Sequence, residues 1–246
     1  MDAFSIDINA DVGEGIGNEG MLFPYITSCN IACGGHAGDV QSMNEIVALA
    51  KKNSIKIGAH PSFPDKANFG REVINISCEA LYNSVKDQIK SLLSIVKAHH
   101  AHLHHVKPHG ALYNLAAKDK ITAQVILDVI KRFHRPIKLY VPYGSVIAKL
   151  AKAQGVAILY EAFADRNYNN DLSLVSRKLD NALITETSQV CTHVLNMVIH
   201  QKVSTINGNE VPIHAETIGV HGDNPKAINL VKSLRHFLND HAIAIK

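Results

Sequence analysis

The chain has no tryptophan, only 6% aromatic residues and four cysteines in 246 positions. Cys29, Cys33, Cys78 and Cys191 form no C-x-x-C pair, which argues against a structural zinc knuckle or a dithiol redox site. A chain of this length can build its own core without disulfide staples, so the cysteines are expected to be reduced. No apolar run approaches the ~18 residues of a membrane span, and no basic segment followed by an apolar one opens the chain. These absences point to a cytoplasmic protein with no membrane partner. Neither sign of charge dominates. A net charge of +3 is too small to argue for nucleic acid. There is also no G-x-x-x-x-G-K-[ST], hence no Walker-type cradle for ATP. A homo-oligomer is compatible with all of these numbers.

What the chain does have is fifteen histidines and a regular alternation of two hydrophobic periods. Short β-rich runs fall at Phe4–Asn9, Ser28–Ala32, Ile55–Ala59, His104–Lys107, Ile137–Val141, Val156–Tyr160 and Thr217–Val220, with a last short one at Ala242–Ile245. Between them lie stripes at helical spacing. Met43, Ile46, Val47 and Ala50 mark one, and Leu81, Val85, Ile89, Leu92 and Val96 a longer one behind the N-cap candidate Ser77. Further stripes centre on Val125–Phe133, Val146–Leu150, Val190–Val198 and Ile228–Leu238. Repeated strand–helix units predict a parallel sheet covered by helices, in one domain over 1–246. Asn207-Gly208-Asn209 predicts a hairpin turn inserted near 202–214.

A βα-barrel of about seven strands is favoured over an open sheet, because polar and ionisable residues recur at the C-terminal ends of predicted strands. They are Asn9 and Asp11, Cys33 and His36, His60, Lys107 and His109, Glu161 and Asp165, and His221 and Asp223. In a barrel these ends converge on one mouth, whereas an open sheet would scatter them.

The stretch "DVGEGIGNEG" (11–20) contains a literal G-x-G-x-x-G. A dinucleotide turn needs a helix directly behind it to present N–H groups and a dipole to phosphate. Here Pro24 opposes a long helix, and Glu14 and Glu19 repel phosphate. The stretch reads instead as a pliable loop carrying Asp11 and Glu14 to the mouth. Asn9 and Asp11 point the same way by strand alternation.

In "SCNIACGGHAGD", Asp39 is placed to cap the helix from Val40, while His36 is a ligand or base candidate. His60 precedes Pro61, which sets its direction, and Arg71 follows in "NFGR" as a cation for a carboxylate. The densest cluster, "VKPHGALYN", holds Lys107, His109, Tyr113 and Asn114. A lysine partly desolvated at a strand end either loses its proton more readily or neutralises a bound anion. The run "HHAHLHH" (99–105) is read as solvated and incidental. Such a cavity suits a small polar substrate and acid–base chemistry. Three imidazoles and a carboxylate, from His36, His60, His109 and Asp11, are also a donor set for a divalent metal. Spacing does not separate the two.

The motifs "NADVGEG", "SCNIACGGHAGD", "GAHPSFPD…FGR", "VKPHGALYN", "EAFADRNY" and "VHGD" run in order from end to end. Together they resemble the LamB/YcsF family of 5-oxoprolinase A subunits. The resemblance implies a distorted, TIM-like βα-barrel similar to the glycoside hydrolase/deacetylase superfamily. It implies ATP-dependent opening of the lactam of 5-oxo-L-proline (pyroglutamate) to L-glutamate, with partner subunits B and C supplying the ATP chemistry. On that reading Asp11 or Glu14 activates water. His60 and His109 act as acid/base groups or metal ligands, and Lys107 stabilises an oxyanion or phosphate. Arg71 or Arg166 binds the substrate carboxylate, and Asn9, Asn30, His36, Tyr113, Asn114, Glu161, Asp165, His221 and Asp223 complete the pocket. The chain departs from the family pattern at Glu72, where a second Arg is common, at Ser176, where Pro is common, and at Gly219, where Cys is frequent. Two other readings stand beside it: a stand-alone metal-dependent amidohydrolase or carbohydrate deacetylase, and a non-catalytic subunit that binds the lactam.

Overall fold

A computed structural model of the chain describes residues 4–221 and 227–246. Seven parallel strands close into a barrel. They are β1 (Ser5–Val12), β2 (Ser28–Ala32), β3 (Lys56–His60), β4 (Leu103–Val106), β5 (Lys138–Pro142), β6 (Ile158–Phe163) and, after an inserted hairpin, β9 (Thr217–Val220), which pairs back onto β1. The hairpin is the predicted one: β7 (Lys202–Ser204) pairs antiparallel with β8 (Glu210–Pro212). A short β10 (Ala244–Ile245) pairs with Ser5 and Ile6, below the point where β2 meets β1.

Helices cover the outside: α1 (Glu19–Leu22), α2 (Val40–Lys52), α3 (Cys78–Ala98), α4 (Gly110–Ala116), α5 (Lys120–Arg132), α6 (Val146–Ala153), α7 (Thr187–Leu195) and α8 (Ala227–Asp240). Ser77 caps α3 through Ala80 N–H, and Asp39 caps α2 in a reciprocal box with Ser42. Pro24 limits α1 to four residues followed by a single 3₁₀ turn. No helix among the described residues is long and apolar enough to cross a membrane.

Strand alternation divides each strand between two environments. Ile6, Ile8, Ala10 and Val12 of β1 are buried in the apolar layer against the helices. Asp7, Asn9 and Asp11 point into the barrel, where they bond to side chains of other strands. The barrel interior is therefore polar along its length, unlike the branched-aliphatic filling usual in such barrels. Most strand boundaries shift by one to three residues from the sequence reading; β3, for example, ends at His60 rather than Ala59. β1 extends to Val12, so Asp11 lies on a strand and not beyond it, and β6 is shifted to 158–163, so Glu161 lies within it. The β1–β2 ladder from Asn9 to Val12 supports the added residues.

Candidate active site

The top of the barrel gathers Asp11 from β1, Glu14 from the loop behind it, His36 after β2, His60 from β3, and Lys107 and His109 after β4. Glu14 reaches inward because Gly13 and Gly15 take left-handed backbone angles (φ 75° and 84°). Glu19 accepts a hydrogen bond from Gly13 N–H at 3.1 Å. It thus occupies with a carboxylate a backbone donor that a phosphate-binding turn would leave for its ligand.

Two of the histidines have fixed tautomers. His60 Nδ1 lies 2.7 Å from the Lys107 carbonyl, and His109 Nε2 lies 3.0 Å from the Phe69 carbonyl. A carbonyl only accepts, so both of those nitrogens carry hydrogen. The remaining lone pairs, His60 Nε2 and His109 Nδ1, face each other at 3.0 Å. Glu14 Oε1 lies 3.5 Å from His109 Nδ1, 4.0 Å from His60 Nε2 and 3.0 Å from His36 Nε2. Two lone pairs and a carboxylate at these distances require a proton or a cation among them. The His36 and His109 rings stack at 3.7 Å. Burial holds both below the usual histidine range, His109 further, where positive charge on His60 and His36 adds to it.

The donor atoms of Glu14, His36, His60 and His109 all lie within 4.8 Å of one another. This set suits a zinc-like ion, and the backbone carbonyls behind His60 and His109 are the outer-shell partners that such ligands take. Glu14 thus stands where the sequence reading placed Asp11. Asp11 is engaged elsewhere: its Oδ1 accepts from Lys107 Nζ at 3.0 Å and Asn30 Nδ2 at 2.8 Å, and lies 3.4 Å from His60 Nε2. Burial would raise its pKa, but the positive charges at His60 and Lys107 hold it well below the usual range.

Lys107 also departs from expectation. Its Nζ lies 2.8 Å from Glu161 Oε1 as well as 3.0 Å from Asp11. Burial alone would lower its pKa, yet the two carboxylates more than reverse that, and it stays charged. A cation already shared by two acids is poorly placed to receive a third anion. The Lys107 ammonium is thus paired with Asp11 and Glu161 while its side chain still borders the cavity.

Above these groups lies a cavity of about 380 Å³, within the size range of small-ligand sites. Asp11, Glu14, His60, Lys107 and His109 form its floor, with Tyr113, Asn114, Phe163 and His221 along the walls. Its exposed rim carries Arg71, Arg177 and Lys178 together with the carboxylate Glu72. Arg166 also borders it, but its guanidinium donates to the Val175 and Ala182 carbonyls and so ties down the loop that bears Arg177. His221 Nδ1 bonds Asp165 at 2.8 Å, which sets the ring from behind. Asn9, Asn30 and Glu161 are buried beneath the floor rather than in its lining. The Tyr113 hydroxyl lies beside Glu161 without a hydrogen bond of acceptable geometry among the described residues, and Glu161 Oε2 likewise has none. Burial first, and then Glu161, keep the Tyr113 O–H protonated. Asp223 lies outside the described residues.

Three features escaped the sequence reading. His105 is fully buried in the barrel, stacked on Tyr140 at 3.9 Å, so the histidine run is not solvated throughout. Its two-residue spacing from Lys107, just past the end of β4, was the available signal. A Cβ on Gly58 would come within 2.1 Å of the His105 ring, so β3 makes room for it with glycine. Asp7 was equally legible, from the period Asp7, Asn9, Asp11. Arg177 and Lys178 come from a long loop and had no such signal.

A family model described as LamB/YcsF matches residues 6–246. The chain belongs to the LamB/YcsF family. The 5-oxoprolinase A subunit of Shouchella clausii (strain KSM-K16) is 44% identical over 247 residues, covering 98% of each chain. Among solved structures, a lactam utilization protein from Thermus thermophilus superposes with a TM-score of 0.92 at 36% identity, over 98% of this chain and 99% of that one. A T48 deacetylase, at 12% identity and a TM-score of 0.50 over 99% of this chain and 88% of that one, shares the fold alone. The expected relation of this LamB/YcsF barrel to deacetylase barrels is thus seen in its architecture.

Proposed function

We propose that the chain is the A subunit of an ATP-dependent 5-oxoprolinase, opening the lactam of 5-oxo-L-proline to L-glutamate together with subunits B and C. The observation that carries this reading is the separation of charge within the cavity. The floor is buried and carries carboxylates, imidazoles and the paired Lys107 ammonium, while the exposed rim carries three cations, Arg71, Arg177 and Lys178, against one carboxylate, Glu72. A small substrate with a neutral amide at one end and a carboxylate at the other matches that gradient. The lactam goes inward and the carboxylate stays at the rim near Arg71, Arg177 and Lys178. The names of the relatives support the same substrate class. The chain carries no Walker motif, in keeping with ATP being consumed by the partner subunits.

The residues divide the work. Water held against Glu14 and the facing lone pairs of His60 and His109 gives up its proton to that cluster as it attacks the carbonyl. The Tyr113 O–H, protonated and without a partner among the described residues, donates to the oxygen that becomes negative. Lys107 and Asn30 hold the Asp11 carboxylate beside His60, where it stabilises positive charge on that ring. His109 returns a proton to the departing ring nitrogen. Glu14, His36, His60 and His109 are the residues that would hold a divalent ion. Bound there, the ion would polarise the carbonyl and acidify water.

The test is glutamate release from 5-oxo-L-proline and ATP, with the chain alone and with the B and C subunits. Release only from the complete mixture is expected. Deacetylation of an N-acetyl sugar by the chain alone, without ATP, would overturn the reading in favour of a stand-alone deacetylase.

A further inference from the structure

Beneath the cavity two hydrogen-bonded columns run down the barrel, and the orientation of both asparagine amides in them can be deduced. The first starts at Asp7. Its carboxylate receives Ser28 Oγ at 2.6 Å, Thr217 Oγ1 at 2.6 Å, Thr27 Oγ1 at 2.8 Å, and Tyr140 OH and Lys56 Nζ at 3.3 Å each. Thr217 has one hydroxyl proton, and it goes to Asp7. Thr217 Oγ1 therefore accepts from Asn9, at 2.8 Å, and Asn9 Nδ2 gives its other hydrogen to Glu161 Oε1 at 3.0 Å. Asn9 Oδ1 then faces Lys107 Nζ at 3.2 Å and Asn30 Nδ2 at 2.7 Å.

The second column starts at the edge of the barrel with His104. His105 Nε2 lies 2.7 Å from Asn30 Oδ1, and His105 Nδ1 lies 3.1 Å from His104 Nδ1. Asn30 Nδ2 has two hydrogens and two acceptors, Asn9 Oδ1 and Asp11 Oδ1. Its Oδ1 is thereby left to accept from His105, which must carry hydrogen on Nε2. Burial keeps His105 neutral, so its Nδ1 accepts from His104. Reversing the Asn30 amide would set its oxygen against a carboxylate and another amide oxygen, both acceptors.

We infer that Asp7 and His105 are positioning residues: each braces the orientation of a buried asparagine that Glu161, Lys107 or Asp11 holds from the other side, and through Asn9 and Asn30 they help place Lys107 and the Asp11 carboxylate. Neither touches the cavity. Their contribution to turnover rests on the function proposed above, but their hold on the asparagines does not. The same pattern explains why β1 carries Asp, Asn and Asp at alternate positions. The lowest anion sets the polarity of the layer above it, and that layer sets the next.

The test uses the full-length chain and two readouts. One is hydrogen exchange of the Asn9 and Asn30 side-chain N–H groups by NMR, which needs no turnover. The other is the split between kcat and KM in the three-subunit assay. In His105→Leu, Asn30 exchange is expected to rise at least about tenfold, and kcat to fall about tenfold while KM stays within about threefold. His105→Gln, whose amide can donate to Asn30 Oδ1, is expected to restore both. Asp7→Ala removes the carboxylate oxygen that fixes the Thr217 hydroxyl, so Thr217 Oγ1 no longer has to accept from Asn9, and Asn9 exchange is expected to rise likewise. Unchanged Asn30 protection in His105→Leu would overturn the inference, as would equal loss in His105→Gln. Should His105→Leu fail to fold, unchanged Asn9 protection in Asp7→Ala would overturn it. Absence of lactam opening by the wild-type mixture would sink the proposed function and leave the exchange result standing.

Discussion

The lower and upper halves of the barrel interior are both polar, but they differ in how far their polar atoms are satisfied. Below, Asp7, Asn9, Asn30 and Thr217 each meet groups of complementary sense. Above, His60 Nε2 and His109 Nδ1 meet as two lone pairs, and the Tyr113 hydroxyl and His36 Nδ1 have no hydrogen-bond partner among the described residues; Glu161 Oε2, at the boundary between the halves, has none either. Buried unsatisfied groups cost about 1–3 kcal/mol each, so a cluster of them at the end of a fully paired column asks for an explanation. The satisfied half is scaffold. The unsatisfied half is set up for something the protein binds, and the rigid column beneath keeps those groups from collapsing onto one another.

The sharpest way to break this contrast is at the top. Glu14→Gln or His109→Ala is expected to lower kcat for lactam opening about a thousandfold, the scale of losing an acid/base group. Folded stability should hold or rise, because each change relieves a crowded site. Full activity in either variant of the reconstituted complex would favour the non-catalytic, lactam-binding reading.

The next effect belongs to the bottom. Asp7→Ala strips the acceptor from Ser28, Thr217 and Thr27 at once, and is expected to cost about 3 kcal/mol in denaturant unfolding, within the range for breaking a buried network. A loss below about 1 kcal/mol would show that the lower half is not the rigid support the contrast requires. Smaller again is Tyr113→Phe. It removes one unpartnered hydroxyl, so kcat should fall about ten- to hundredfold with the melting temperature unchanged or raised. A loss of stability without loss of rate would mean that the hydroxyl serves the scaffold.

Much of this was legible in the sequence, for physical reasons that can be named. The barrel follows from strand–helix alternation and from ionisable residues at successive strand ends, and the Ser77 and Asp39 caps follow from side-chain chemistry. Asn9 and Asp11 shared a face by parity, and the same rule extends to Asp7, Asn30, His105 and Lys107. The replacement of Asp11 by Glu14 beside the histidines was not legible, because it depends on left-handed angles at Gly13 and Gly15 that bend the loop back over the mouth. Helix α4 was hidden behind Pro108-His109-Gly110, which reads as a turn. The fate of Lys107 turned on a quantity that sequence does not carry: the distance to two carboxylates on strands far off along the chain in either direction.

The smallest effect is a difference between two pH dependences. Burial depresses His105 and His109 in the folded state, and His36 less strongly. A histidine depressed on folding contributes stability that is complete above its unfolded pKa, near 6.5, and is lost as the pH falls from there toward the folded value. The wild-type melting temperature is therefore expected to fall between about pH 7 and pH 5.5. His105→Gln cannot take up that proton, so its curve should be flatter than wild type by about 2 °C over the same interval, with its activity retained. His109→Ala should flatten the curve by a similar amount and lose activity. If both variants flatten the curve and only one loses turnover, the two halves of the barrel are alike in electrostatics and separate in chemistry. Parallel curves for wild type and His105→Gln would show that the ring is not held neutral by the barrel, and the donor sequence from His104 to Asp11 would have to be redrawn.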